Sequence, residues 1–139
     1  MFAEVKAMLT FIQGDDYDEK IAREIKACVM DLTRTAEIVL PGKVDITITK
    51  QAATTSEPEQ VVITDNSTVT DDYVIAAIAT WCDMRIGNPP NVENLKAAYS
   101  SMKGSMRLSK DYTNYGDAEP EEEPEEEPEE EPEEEATTE

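Results

Sequence analysis

The chain has 139 residues, 32 acids against 12 bases, two cysteines and no histidine. Without histidine there is no usual general base near neutral pH, no Ser-His or Cys-His nucleophile pair, and none of the commonest metal ligand. The net charge of −20 is uneven along the chain, and it is the mildly acidic remainder outside the C-terminal run that argues against free binding to the outside of duplex DNA. Glu119 to Glu139 contains 14 Glu and no Lys or Arg, and removing these from the 32 acids leaves 18 against 12 bases, a net of −6.

Phe2, Val5, Met8, Leu9 and Ile12 fit a short first helix, which Gly14 is expected to end. Ile21, Ile25, Cys28, Val29 and Leu32 keep helical spacing through a second, with Asp18 and Glu19 in its first turn, where the helix dipole favours acids. The two segments read as a helical hairpin. Asp15, Asp16, Asp18 and Glu19 resemble a cation loop in composition only. An EF-hand counted from Asp16 needs glycine sixth and glutamate twelfth, where the chain has Ile21 and Ala27, so the acids read as helix-start residues.

Leu40-Pro41-Gly42 breaks the helical pattern. Val44, Ile46 and Ile48 then alternate with polar residues at the strand period, and a second β-favouring run occupies Gln60 to Thr64. The polar intervening segment, with Pro58, makes 41–69 a β-hairpin or long loop insertion. Thr70 or Asp71 is placed to cap a third helix running to Ile86, apolar on almost every face and therefore expected to be buried on more than one side. Its Tyr73, Ile75, Ala76, Ile78, Ala79, Trp81 and Cys82 are candidates for core or subunit interface. The two cysteines read as buried, reduced thiols.

Gly87-Asn88-Pro89-Pro90 ends that helix sharply. In the next, Val92, Leu95, Tyr99, Met102 and Met106 share one face, with Tyr99 and Met102 expected in the core or an interface. Lys96, Lys103, Arg107 and Lys110 recur at the same spacing on another face, either solvated or turned toward DNA or an acidic surface. Beyond Tyr112 a short polar link leads into EPEEEPEEEPEEEPEEE, whose repulsion and prolines predict an extended, disordered tail. The expected organisation is mainly α: a small bundle of about four helices over 1–116, the insertion at 41–69, and a Glu/Pro-rich tail over 117–139.

No P-loop, dinucleotide-binding glycine pattern, CxxC pair or nucleophile elbow occurs, and the expectation is a non-enzyme without cofactor or metal. No segment reads as a signal peptide or membrane span, so a soluble protein made in the cytoplasm is expected, with no membrane partner.

The helix, GDD turn and second helix, the apolar helix, the Gly-Asn-Pro break and the ending YSSMKGSMRLSKDY together resemble the small head-tail connector, or adaptor, proteins of long-tailed bacteriophages and prophages, often labelled DNA-packaging proteins. Thr70 to Tyr112 carries most of the resemblance, with Trp81, Gly87, Asn88, Tyr99, Lys103, Leu108, Ser109 and Tyr112 at family-like places. The segment from Pro41 to Thr70 and the acidic repeat depart from the pattern. The resemblance implies a virion protein that assembles as a homo-oligomeric ring, typically a dodecamer, on the portal after packaging. Such a ring extends the channel for double-stranded DNA and offers a docking surface to a stopper or tail-completion protein. It also implies portal docking by the C-terminal segment, around Leu108, Tyr112 and Tyr115. The rival reading is a small acidic regulatory or DNA-mimic protein whose Glu-rich tail captures a basic partner.

Overall fold

The computed structural model describes residues 1–9 and 14–113. Four α-helices and one antiparallel hairpin follow the chain: α1 (Phe2–Met8), α2 (Asp18–Met30), β1 (Ile46–Gln51), β2 (Gln60–Asp65), α3 (Asp72–Arg85) and α4 (Val92–Leu108). The mainly α class with a hairpin insertion is as the sequence implies. α3 is the centre, and α1, α2 and α4 all pack on it. Its all-round apolar character is the cause: Val74, Ile75, Ala77, Ile78, Ala79 and Cys82 are buried, against two to four residues on each neighbouring helix.

α3 begins as a capped helix should. The Asp71 carboxylate accepts the backbone N–H groups of Tyr73 and Val74 at 2.9 and 3.0 Å, filling two of the donors that a helix start leaves open. It stops where the chain turns left-handed, at Gly87 (φ 79°) and Asn88 (φ 49°). Glycine and asparagine tolerate that region, and the prolines that follow forbid a return to helix.

Three details differ from the sequence reading. α1 ends at Met8, with Leu9 as its C-cap, well before Gly14; Ile12 lies outside the described residues. α1 packs on α3 rather than forming a hairpin with α2, because Val5 and Leu9 find the apolar α3 surface. The acids at the start of α2 provide no side-chain cap: Tyr17 occupies that position, and Asp15 and Asp18 instead hold Lys6 of α1 at 2.6 and 2.7 Å.

α2 does not end cleanly. Its helical path widens into a single π-helical turn over Asp31–Thr35, where the Ala36 N–H reaches back five residues to Asp31. The turn closes with Ile38 N–H bonded to the Leu32 carbonyl at 2.9 Å and Glu37 at φ 56°, a terminating geometry that usually takes glycine.

The hairpin pairs Ile46 with Asp65 and Gln51 with Gln60. Only its base belongs to the core: Ile46 is buried and Ile48 and Ile63 are half-buried, while everything from Thr49 to Val62 is exposed. The base rests on α2 and is fastened to α1, where Asp65 accepts the Phe2 N–H at 2.6 Å.

Candidate functional site

The polar chemistry of the body gathers where α2, α3 and α4 meet. α2 contributes Glu24 and Cys28 with Asp31 just beyond its end, α3 contributes Trp81 and Arg85, and α4 contributes Tyr99 and Lys103. Each pair is spaced three or four residues apart, so both members reach the same side of their helix. The Tyr99 hydroxyl donates to Asp31 Oδ2 at 2.7 Å, and Lys103 Nζ donates to the same oxygen at 2.9 Å. The Cys28 thiol lies 3.6 Å from the Tyr99 hydroxyl. Trp81 Nε1 donates to Glu24 Oε2 at 3.0 Å, and Arg85 pairs with that carboxylate at 3.4 Å.

The two halves are joined by ring contacts. Trp81 and Tyr99 meet edge to face at 5.1 Å, Arg85 covers the Trp81 ring at 5.1 Å, and Lys103 lies 5.2 Å from the centre of the Tyr99 ring. Edge-to-face aromatics and cations over ring faces are favourable arrangements, so the cluster locks three helices together.

Its protonation states are fixed ones. Burial tends to raise the Asp31 carboxyl, but the Tyr99 and Lys103 donors outweigh it and hold the group below the ordinary carboxylate range. Burial pushes the Cys28 thiol up to about 12, despite the hydrogen bond to Tyr99, and raises Cys82 as well. Burial, followed by the adjoining Cys28 and Asp31, also raises the Tyr99 phenol. Both thiols are therefore protonated and unreactive near neutral pH. Asp83 is the one carboxyl among the described residues that is raised by burial, and its Oδ1 is enclosed without a hydrogen-bond partner. Among the described residues no group of three His, Cys, Asp or Glu is arranged to hold a metal ion.

Beside this cluster lies an open groove of about 370 Å³, lined by Ala27, Met30, Asp31, Arg34, Thr35 and Trp81. The π-turn shapes its wall by setting Arg34 and Thr35 off the regular α2 path. The half-buried Trp81 supplies an aromatic face, and Met30 is 50 % exposed.

The residues singled out in the sequence separate into three groups. Ile78 and Tyr99 are buried, and Trp81 and Met102 are half-buried against the core. Tyr73 is exposed, so the core half of its reading fails and the interface half remains. The basic stripe is divided. Lys103 is drawn inward to Asp31 because it stands one turn after Tyr99, and Lys96 pairs with Glu93 on its own helix at 2.9 Å, whereas Arg107 and Lys110 are exposed without an ion-pair partner among the described residues.

Near the C-terminal end, Leu108 is 90 % exposed. Tyr112, in the short 3-10 turn Lys110–Tyr112, is tied inward: its hydroxyl donates to the capping residue Asp71 at 2.9 Å and its carbonyl accepts the Val39 N–H at 2.8 Å. Burial and the Asp71 bond push its phenol up to about 12. Tyr115 and the acidic run lie outside the described residues.

Sequence reasoning missed Asp31, Glu24, Met30 and Arg34. Asp31 and Glu24 interrupt no pattern, and their importance depends on partners 57 to 72 residues away. Among the described residues no helix is long and apolar enough to cross a membrane. No family model matches the chain, and no curated protein or solved structure shows significant similarity to it.

Proposed function

We propose that the chain is a structural subunit of the head-tail connector kind, forming a ring on a portal and presenting a docking surface to a stopper or tail-completion protein. The observation that carries this reading is the end of α4. There Leu108, a large apolar side chain, stands 90 % exposed immediately before a turn anchored to the body by Tyr112. An apolar side chain so fully in water, beside a turn anchored to the body, is available for burial by a partner. Two further features agree with a mechanical role. The hairpin arm extends beyond the core with Val61 and Val62 exposed, and the polar cluster ties helices together while its Cys28 thiol and Tyr99 phenol are raised far from neutral pH.

In this reading Leu108 docks the portal, Arg107 and Lys110 face DNA or acidic portal residues, and Tyr73 and Trp81 border neighbouring subunits. Lys103 serves the fold, so Lys103→Ala is not a clean test of DNA or portal contact. Leu108→Glu in the full-length chain is. Mixed with a portal and viewed by negative-stain microscopy, the unaltered chain is expected to add a ring of density and the variant is not, with identical circular dichroism. Equal ring formation by both excludes docking through Leu108. If the chain binds no portal and its Glu-rich segment alone captures a basic protein, the acidic regulatory or DNA-mimic reading takes its place.

A further inference from the structure

The groove beside Trp81 has a composition that matches one segment of this same chain. Met30 and Arg34 line the groove together with Trp81, and Lys26 stands one turn before Met30 on α2, outside that lining. Lys26 and Arg34 are both exposed, and neither has an ion-pair partner among the described residues. Arg85 lies over the Trp81 ring. The two carboxylates nearby are already engaged, Asp31 by Tyr99 and Lys103 and Glu24 by Trp81 and Arg85. The rim thus offers an aromatic and a thioether platform flanked by cations, on a body whose net charge is −6.

We infer that this groove binds the chain's own Glu/Pro repeat, Glu119 to Glu135, in cis, with a proline against Trp81 and Met30 and flanking glutamates against Lys26 and Arg34. Proline-rich segments in polyproline geometry dock on aromatic grooves because the bound shape is already favoured before binding. One four-residue repeat at about 3.1 Å per residue spans roughly 12 Å. The rise from Lys26 to Arg34, eight residues of helix, is also roughly 12 Å, so one glutamate group meets each cation.

Reach permits the contact. The described body ends at Thr113, next to Tyr112, whose carbonyl holds Val39, and Val39 is four residues from the groove residue Thr35. Those four residues span at most about 14 Å, whereas residues 114–139 can extend about 80 Å. A tether of this length keeps the repeat at a high effective concentration near the groove, so a weak site suffices. The prolines at 120, 124, 128 and 132 give equivalent registers, which multiplies the ways of binding without demanding one ordered placement. The inference does not depend on the connector reading.

Trp81 is the only tryptophan, so its fluorescence reports the site directly in the full-length chain. Raising salt from about 0.01 M to about 1 M shrinks the screening length from about 30 Å to about 3 Å and is expected to raise acrylamide quenching of Trp81 about twofold. Two full-length variants are expected to show the higher quenching at all salt concentrations: one with the tail glutamates replaced by glutamine, which leaves the body untouched, and Lys26→Glu/Arg34→Glu. Circular dichroism should be unchanged in both. The inference is overturned if the glutamine variant is quenched like the parent at low salt. It is overturned equally if the protection weakens on dilution, which would place the tail on a second copy.

Discussion

Asp31 is the residue on which the polar cluster most depends, because one carboxylate oxygen satisfies both the Tyr99 hydroxyl and the Lys103 ammonium. Asp31→Ala leaves the hydroxyl of a residue that is only 4 % exposed without that partner and removes two charge-assisted bonds. A loss of about 2–3 kcal/mol in urea unfolding is expected. Lys96→Ala, which removes a surface pair one turn apart, is expected to cost less than about 0.5 kcal/mol. A second residue-scale consequence concerns pH. Partial burial tends to raise the Asp65 carboxyl, but donors from Ser67 and Phe2 and the N-terminal ammonium outweigh it and hold it at about 2, against an ordinary 3.8. Because the folded value lies below the unfolded one, the resulting stability is complete above pH 3.8 and lost as pH falls toward 2. Asp31, also lowered, contributes in the same sense. Urea midpoints measured through this range should fall, and Asp65→Asn should remove part of the fall.

At the scale of elements, α3 is both the most legible helix and the most consequential. Its boundaries follow from local chemistry that a sequence displays: an aspartate able to accept N–H groups at one end and a Gly-Asn-Pro-Pro run at the other. Asp71→Ala removes the cap and also the acceptor of the Tyr112 hydroxyl. A loss of about 1–2 kcal/mol is expected, and Tyr112→Phe should account for the smaller share, as a double-mutant cycle in urea will show. The hairpin was legible for a different reason, the alternation of Val44, Ile46 and Ile48. Its register was not, since pairing Ile48 with Ile63 depends on the length of the polar connection. The π-turn at the end of α2 had no signal in the residues: Glu37 takes the left-handed position where glycine is the usual marker.

For the molecule as a whole, packing about α3 decides which chemical groups are hidden. Cys28 and Cys82 are both fully buried, and the Cys28 thiol is held at about 12. Neither is expected to react with a thiol reagent in the native protein at pH 8. Both should react when urea unfolds it, with a labelling rate that tracks the unfolded fraction. Rapid labelling without denaturant contradicts the packing described for α2 and α3.

The sequence by itself determined the helical class, the place of an insertion over 41–69, the α3 boundaries, the buried thiols and the separation of a mildly acidic body from a strongly acidic end. Each of these rests on local periodicity, capping chemistry or composition, which neighbours along the chain are enough to specify. Only the tertiary structure decided how the helix from Asn88 onward spends its two stripes. The apolar face divides into a buried Tyr99 and Met106 and a half-buried Val92, Leu95 and Met102, and the basic face loses Lys103 to Asp31. The groove of Met30, Arg34 and Trp81 was likewise decided by the fold, because its walls come from helices about 50 residues apart and no periodicity within one segment records which distant face it will meet.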